Sequence, residues 1–409
     1  MSKATKTSLP PVFRRLAWSN LSAQFSEQVA LAAAPLAAVL LLGATAADTG
    51  YLQAAQTLPF LLFSLPAGVL ADRASRRGMM VIAEALRAAS LFSTLMLLLV
   101  NGLDLPLLAL LGAIGAIGTV VYSVAAPALI PTLVERDQLG DANRLLELAR
   151  SIAFVTGPTV GGAVVGWMGA PTAYVIATGL SATAVVFLRG LPEAERVGQL
   201  RRNLLRELRE GGVFVLRSPI LRPILVTSMF FNLSWFIIQG VFVAYAVRQL
   251  GLDASEVGIL FGVYGAGMLV GAFGAPWLSS RFPFGITVTV GPAGGLIGSL
   301  AVAGTVLYPS GVLAGIGFFF FGLGPIIWTI STTTLRQAVT PGPLLGRISA
   351  VIMTASFGTR PIGAALGGLV AGRFGPEACL VLATIGFLVQ FVVIAQSSVS
   401  RLPTLPEGV

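Results

Sequence analysis

The stretch that decides the fold is Gly68 to Gly78, which reads G-V-L-A-D-R-A-S-R-R-G. Apolar runs at residues 49–71 and 79–100 flank it, and each can cross a bilayer, which takes about 20 apolar residues at ~1.5 Å rise. A polar connection this short returns the chain to the side from which it came, so the flanks are predicted as antiparallel membrane helices. Its three arginines predict that this side is the cytoplasm, because cytoplasmic loops are enriched in Lys and Arg.

The composition of the whole chain also indicates a polytopic membrane protein. Of its 409 residues, 55% are hydrophobic and 11% charged, with a mean hydropathy of +0.87, whereas soluble domains have about 25% charged residues. The net charge of +9 comes from arginines between apolar runs, which argues against a nucleic-acid partner. Histidine is absent and Cys379 is the single cysteine, so we expect no metal site, no intrachain disulfide, no enzyme activity, and proton chemistry only at carboxylates.

Twelve apolar runs, separated by turn or charge signals, predict an all-α integral membrane fold with twelve transmembrane helices. The predicted spans are residues 13–42, 49–71, 78–100, 105–131, 143–168, 171–190, 220–248, 255–280, 284–308, 310–335, 345–372 and 376–397. The first span is too long for the apolar region of a cleavable signal peptide. Of 26 Lys and Arg residues, 21 lie on one predicted side and two on the other, which predicts cytoplasmic termini.

The spans divide into two six-helix halves of related sequence. P-A-G-V-L-A-D-R from Pro66 returns about 205 residues later as G-A-P-W-L-S-S-R from Gly274. We predict an N-terminal half at residues 1–190, a linker at 191–219, a C-terminal half at 220–397 and a cytoplasmic tail at 398–409. Leucines at helical spacing and six arginines in the linker indicate an amphipathic helix on the inner leaflet. Such paired halves are typical of secondary transporters with a site at the midplane.

These features resemble the major facilitator superfamily over essentially the whole chain. The signature loop of that family, G-x-L-a-D-R-x-x-R-R, is matched from Gly68 to Arg77, and the G-P-x-x-G-G motif of helix five in its antiporter branch is matched from Gly157 to Gly162. The opening of span one and residues 65–88 look like its drug-and-siderophore exporter group, which includes macrolide efflux proteins and enterobactin exporters. Two departures are that span four has no charged residue and that Ser280 stands at the counterpart of Asp72.

The resemblance implies proton-coupled export of an amphiphilic drug-like compound or siderophore by alternating access. It also implies a monomer in a bacterial inner membrane, with the proton as coupling ion and no cofactor. The alternatives are a lipid or lysolipid flippase, or an importer of the same fold, because the fold does not fix the direction of transport.

Glu27 and Arg360 are the two charges predicted near the middle of the membrane. Glu27 lies about fourteen residues into span one, where a charge costs at least ~2.5–3.5 kcal/mol. It is interpreted as a proton acceptor, a cation-binding group or both, with a structural glutamate bonded to Gln24, Gln28 or a neighbouring helix as the alternative. Arg360 lies about fifteen residues into span eleven and keeps its charge permanently. It is expected to pair with Glu27 or with an anionic substrate group, unless it forms a structural ion pair or extends to the interface.

Charged residues toward the cytoplasmic side predict an inner gate. Glu84 and Arg87 are three residues apart on span three, as are Glu147 and Arg150 on span five, which places each pair on one helical face. The alternative is that these pairs sit at the interface and orient helices. The complete predicted gate consists of Gly68, Asp72, Arg73, Arg76, Arg77, Glu84, Arg87, Glu147 and Arg150.

Other residues are predicted to line the cavity or shape the helices. Large or amide side chains at mid-depth are candidates for substrate contact or for packing; they are Tyr122, Asn232, Trp235, Gln239 and Trp328. Pro158 predicts a kink, and the neighbouring glycines Gly157, Gly161 and Gly162 predict close helix contact.

Overall fold

The structure is a computed structural model that describes residues 9–135, 138–192 and 204–406. Within these limits the chain forms thirteen α-helices. They are α1 Pro11–Leu40, α2 Ala46–Arg73, α3 Arg76–Leu99, α4 Leu105–Leu129, α5 Leu139–Met168, α6 Ala170–Arg189, α7 Leu204–Arg217, α8 Leu221–Arg248, α9 Ala254–Arg281, α10 Phe284–Gly304, α11 Gly311–Val339, α12 Gly342–Phe374 and α13 Pro376–Ala395.

The twelve long helices coincide with the twelve predicted spans, which confirms the all-α membrane fold. Ten of the described helices are long and apolar enough to cross a membrane, and α2 and α12 occupy the predicted spans two and eleven. Polar side chains fix several of the helix starts: Asp104 accepts a hydrogen bond from the Leu107 amide at the start of α4, and Asp253 with Glu256 forms a capping box at the start of α9. These caps satisfy amide groups that have no partner inside the helix.

The hairpin between α2 and α3 is tighter than the polar loop predicted at Gly68 to Gly78. Helix α2 continues to Arg73 and α3 begins at Arg76, so only Ala74 and Ser75 connect them. The Ser75 hydroxyl accepts a hydrogen bond of 3.0 Å from the amide of Gly78. Because the Ser75 hydroxyl satisfies an otherwise unpaired helix amide, α3 can begin at Arg76, two residues before the predicted span three.

The short helix α7 lies in the predicted linker, of which residues 193–203 fall outside the described part of the chain. Glu210 accepts a 2.7 Å hydrogen bond from Arg347 of α12, and a Cβ added at Gly211 would lie 3.1 Å from the backbone of Arg347. Val215 is buried in a hydrophobic cluster with residues such as Ile348. The end of the linker therefore packs on α12, and its predicted position on the inner leaflet stays a prediction.

The described residues pack into two compact units. Unit 1 lies within Met1–Ala34 and Leu62–Gln199, and unit 2 lies within Pro35–Leu61 and Leu200–Val409. In unit 1, α3 packs against α4 and α6, and α1 is bonded to α6 because the hydroxyls of Ser19 and Ser26 donate to the carbonyls of Ala184 and Ala177. In unit 2, α8 packs against α12 and α13, and α11 packs against both α9 and α10.

The segment at residues 35–61 belongs to unit 2, whereas the predicted N-terminal half includes it. Glycines explain the difference, because Gly50 of α2 packs directly on the backbone of Gly368 in α12 and lies 3.2 Å from a Cβ added at Gly240 of α8. Arg248 also donates two 2.7 Å hydrogen bonds to the carbonyls of Gly43 and Ala44. Small residues allow helix backbones to approach closely, so the first half of α2 packs with α8 and α12.

Cys379 of α13 is buried in the interior of unit 2. Its side chain is inaccessible to solvent, and its thiol donates a 3.2 Å hydrogen bond to the carbonyl of Gly367 in α12. It therefore contributes to the packing of α12 against α13.

Candidate functional site

A buried charge cluster occupies the interior of unit 1, and we call it the Glu27–Arg87 cluster. It joins Glu27 of α1, Glu84 and Arg87 of α3, Thr119 of α4 and Ser181 of α6. Arg87 Nη1 lies 3.0 Å from Glu84 Oε2, and Arg87 Nη2 lies 3.6 Å from Glu27 Oε2. The cluster thus brings two carboxyl groups to one guanidinium.

Hydrogen bonds to three other helices hold Arg87 and Glu84 in place. Arg87 donates to the carbonyl of Ala23 at 3.1 Å and to the hydroxyl of Thr119 at 2.9 Å, while Ser181 donates to Glu84 Oε1 at 2.5 Å. The side chain of Glu84 is inaccessible to solvent, that of Arg87 is 5% exposed, and that of Glu27 is 20% exposed. Glu27 is therefore the more accessible and more loosely held of the two carboxyl groups.

Helix packing positions these side chains. A Cβ added at Gly118 of α4 would overlap the carbonyl oxygen of Ala83, so α4 approaches α3 closely enough for Thr119 to reach Arg87. Glycines also bring α5 close to α1: a Cβ added at Gly157 would lie 2.5 Å from Gln28 Cβ, and one added at Gly161 would lie 3.1 Å from Ala32 Cβ. The glycines of the G-P-x-x-G-G motif therefore let α5 approach α1 next to Glu27, while Pro158 and the buried Gly162 lie inside one continuous helix.

Glu27 forms an ion pair with Arg87 of α3 in the same unit, a partner that was not predicted from the sequence. The pairing of Arg360 with Glu27 would join the two units and stays a prediction. Glu84 and Arg87 are both buried within the cluster, which argues against the alternative that they sit at the membrane interface. As the sequence showed, α4 carries no charged residue, and Arg87 of α3 contacts α4 through Thr119.

Glu147 and Arg150 form a separate, exposed ion pair. Their side chains are 60% and 52% exposed, and the closest nitrogen and oxygen are 2.6 Å apart. Arg150 also lies 6.0 Å from the ring of Phe154 on the same helix. The two pairs have the same spacing in the sequence, but Glu147 and Arg150 are exposed whereas Glu84 and Arg87 are buried.

The remaining predicted gate residues lie at the hairpin between α2 and α3. Gly68, Asp72 and Arg73 belong to the last turns of α2, and their side chains are outside the described part of the structure. Arg76 is the first residue of α3, and the neighbouring Arg77 donates a 2.6 Å hydrogen bond to the carbonyl of Arg189 at the end of α6. A cation at that position satisfies an unpaired helix carbonyl.

Arg360 lies in unit 2 in a different setting, which we call the Arg360 clamp. Arg360 Nε donates a 2.9 Å hydrogen bond to Asn232 Oδ1 of α8. The guanidinium carbon lies 3.7 Å from the ring centroid of Phe357 and 5.2 Å from that of Phe236. Among the described residues of unit 2, no carboxylate lies within ion-pair distance of Arg360, so rings and an amide surround this charge.

The other predicted cavity residues mostly belong to packed regions. Trp235 stacks on Tyr264 with centroids 5.4 Å apart and also contacts Phe321 at 4.8 Å. Tyr122 is buried in the hydrophobic core of unit 1, and Trp328 packs against a separate cluster in unit 2.

Gln239 is half-buried on α8, and its Oε1 atom has no hydrogen-bond partner among the described residues. Of the predicted cavity residues in unit 2, only Asn232 hydrogen-bonds to Arg360.

Several site residues were not predicted from the sequence. Thr119 and Ser181 are short hydroxyl residues inside apolar spans, and Phe236 and Phe357 are aromatic residues among many in such spans. Phe236 and Phe357 lie on the same helices as Asn232 and Arg360, and Thr119 and Ser181 face charged residues of a neighbouring helix. Neither relation can be recognised before the packing of the helices is known.

Comparisons with known proteins bear on the whole chain. A sequence profile of the Major Facilitator Superfamily matches residues 16–364. The uncharacterized MFS-type transporter y4rN of Sinorhizobium fredii is 28% identical over 267 residues, which is 61% of this chain and 64% of that protein. The multidrug efflux pump Tap of Mycolicibacterium fortuitum is 26% identical over 365 residues, 85% of this chain and 87% of its own length.

Two further comparisons agree with these. The enterobactin exporter EntS of Citrobacter koseri is 25% identical over 348 residues, 83% of this chain and 82% of its own. The crystal structure of a bacterial homologue of the iron transporter ferroportin matches the fold with a TM-score of 0.74 at 16% identity, over 96% of this chain and all of that one. The profile and the fold confirm the predicted resemblance: the chain belongs to the Major Facilitator Superfamily of membrane transporters.

Proposed function

We propose that this chain is a secondary active transporter that exports an amphiphilic organic compound, drug-like or siderophore-like, in exchange for protons. It works by alternating access between two pseudo-symmetric six-helix halves in a bacterial inner membrane. Both termini face the cytoplasm, as the 21-to-2 distribution of Lys and Arg predicts. We expect a monomer that uses the proton as its coupling ion and needs no cofactor.

The observation that carries the proposal is the charge imbalance of the Glu27–Arg87 cluster. With both carboxyl groups ionised, Glu27 and Glu84 bring two negative charges against the single positive charge of Arg87. An uncompensated charge buried in a membrane protein is unfavourable, and the uptake of one proton or one cation removes it. Such a cluster has the chemistry of a proton-coupling site.

Glu27 is the group that would exchange the proton. Glu84 is closed off from solvent and bonded to Ser181 as well as to Arg87, while Glu27 is partly exposed and 0.6 Å farther from its arginine nitrogen, at 3.6 Å against 3.0 Å. Protonation of Glu27 breaks its attraction to Arg87 and leaves the Glu84–Arg87 pair in place. Because Glu27 lies on α1 and Arg87 on α3, proton uptake loosens one helix contact, which is the event that proton coupling requires.

The direction and the substrate class are supported by the relatives. Tap is named a multidrug efflux pump and EntS an enterobactin exporter, and both align with more than four-fifths of this chain. We therefore propose export, and a substrate with both polar and apolar parts.

The test is substrate-induced proton release from the purified protein in proteoliposomes, with cationic dyes, macrolides and catechol siderophores as candidate compounds. We expect at least one compound to release protons from the wild type and none to do so from Glu27→Gln. Glu147→Gln is the matched control, because Glu147 also pairs with an arginine three residues away but is exposed, and it should behave as the wild type. Intact proton release in Glu27→Gln would overturn the role of Glu27, and transport of labelled lysolipid alone would assign a flippase instead.

A further inference from the structure

We infer that the Arg360 clamp binds an anionic group of the substrate, and that the exported compound carries this group on a flat aromatic or apolar body. The inference rests on the proposed transport function, since it specifies the substrate class of that transporter. It depends on four observations about the described residues of unit 2: the depth of the charge, the absence of a carboxylate beside it, the terminal nitrogens that make no hydrogen bond there, and the fixed orientation of the guanidinium.

Arg360 lies near the middle of the long membrane helix α12, Gly342–Phe374. Arginine does not lose its proton under physiological conditions, and a lone charge at that depth in a membrane is costly. The surrounding protein must therefore compensate it, or a ligand must do so.

The described acidic residues of unit 2 do not supply that compensation. Asp48 accepts from Thr45, Asp253 and Glu256 cap α9, Glu210 pairs with Arg347, and Glu377 lies in the first turn of α13. Among the described residues of that unit, only the neutral amide of Asn232 bonds to Arg360. The positive charge at the clamp therefore has no carboxylate partner in the described part of its own unit.

The terminal nitrogens of Arg360 are available for an anion. Nε is taken by Asn232, while Nη1 and Nη2 make no hydrogen bond with the described residues of unit 2. These two groups form the fork that binds the paired oxygens of a carboxylate, sulfonate or phosphate. Arg360 is half-buried rather than closed off, so the fork can meet a ligand.

The clamp also holds the fork in one orientation. Asn232 is fixed by its own 2.9 Å hydrogen bond to the carbonyl of Ser228, and the rings of Phe357 and Phe236 lie beside the guanidinium. An oriented donor loses little conformational entropy on binding, which favours affinity. The same rings offer a flat apolar surface, and aromatic rings pack well against the ring system of a ligand.

The contrast with Arg87 argues against a purely structural role for Arg360. Arg87 fulfils such a role, with ion pairs to two carboxylates and further bonds to Ala23 and Thr119. Among the described residues of its unit, Arg360 has a single hydrogen bond, which positions the side chain and leaves its charge for another partner.

The test is a calorimetric titration of the purified full chain in detergent with 2-naphthoate and 2-naphthamide, which share a ring system and differ in charge. We expect the wild type to bind 2-naphthoate about tenfold or more tightly than the amide, the factor that a charge-assisted hydrogen bond provides. Arg360→Gln should abolish this preference. Arg373→Gln, which removes an exposed arginine of the same helix, should keep it.

A second variant tests the inference even if Arg360→Gln does not fold. Asn232→Asp keeps the shape of the side chain but places a carboxylate beside Arg360 Nε, so the guanidinium gains a permanent counter-ion. We expect this variant to lose the preference for 2-naphthoate while its dissociation constant for 2-naphthamide stays unchanged. Equal binding of the two probes by the wild type, or a preference that survives in Arg360→Gln or Asn232→Asp, would overturn the inference.

The titration needs no gradient, so it separates this inference from the proposed function. Proton release that depends on Glu27, without any preference for 2-naphthoate, would refute the anion site and leave proton-coupled export standing. A clear preference for 2-naphthoate with no proton release by any compound would refute the coupling and leave the anion site standing.

Discussion

The two units surround an arginine in opposite ways. In unit 1, Arg87 meets two carboxyl groups, so the cluster has a surplus of negative charge when both are ionised. In unit 2, Arg360 meets an amide and two aromatic rings, so the clamp has a surplus of positive charge. Under the two proposals above, one unit exchanges the coupling proton and the other recognises an anionic part of the substrate.

The largest expected effect is on stability, from removing the arginine of unit 1. Arg87→Met leaves two buried carboxylates without a counter-ion, and breaking a buried ion pair in this way costs about 3–5 kcal/mol. Arg360→Met leaves only a neutral amide without its partner, so its cost should be about 1 kcal/mol. Thermal unfolding midpoints of the two purified variants in one detergent measure the difference.

The triple variant Arg87→Met with Glu27→Gln and Glu84→Gln provides the control. It removes all three charges of the cluster, and we expect it to recover most of the lost stability, because a buried ion pair replaced by neutral groups is often tolerated. If Arg87→Met were as stable as Arg360→Met, the contrast between the two units would be wrong.

The next effect concerns a feature that the units share. Gly157 packs on Gln28 of α1, and Gly363 packs on the backbone of Leu233 in α8, so a Cβ at either position would clash. We expect Gly157→Ala and Gly363→Ala each to cost about 1–3 kcal/mol, the usual effect of overpacking. Gly179→Ala on α6, where nothing lies within 4 Å of an added Cβ, should be neutral or stabilising by about 0.5 kcal/mol. Equal unfolding midpoints for all three variants would show that these contacts do not limit packing.

The smallest effect compares two buried serines. Ser181 donates to Glu84 in unit 1, whereas the hydroxyl of Ser234 in unit 2 has no hydrogen-bond partner among the described residues. Ser181→Ala should therefore cost about 1–2 kcal/mol, because a buried carboxylate loses a donor, while Ser234→Ala should change stability by less than about 0.5 kcal/mol. Denaturation curves in the same detergent distinguish the two, and a larger loss in Ser234→Ala would contradict the assignment.

The sequence alone predicts the helices of this fold well. Each predicted span has a helix in the structure, because about 20 apolar residues in a row have one stable form in a bilayer. It also identifies Glu27 and Arg360 as exceptional, because charges inside apolar spans are costly. The hairpin at Ser75 differs only in length, since a cap decides where a helix begins and apolar runs do not show it.

The partners of those charges could not be predicted in the same way. The pairing of Glu27 with Arg87 depends on which faces of α1 and α3 meet, and these residues are 60 positions apart in the chain. The depth of Arg87 was nevertheless available: it lies about ten residues into the predicted span three, which at ~1.5 Å per residue is about half of a ~30 Å hydrocarbon core. The contacts of Arg360 with Asn232 and Phe236 form because α8 packs on α12. The residue spacing within each helix does not show which helices pack together.

The burial of Cys379 makes the natural chain a background for site-directed labelling. Its thiol is inaccessible to solvent and hydrogen-bonded to the carbonyl of Gly367, so we expect thiol reagents not to modify it while the protein is folded. A cysteine introduced at an exposed position, such as Arg373→Cys in α12 or Arg144→Cys in α5, then becomes the one reactive site. Single labels of this kind report which side of the membrane each position faces, and pairs of spin labels report how the distance between two helices responds to pH and to 2-naphthoate, without replacing any native residue of the interior.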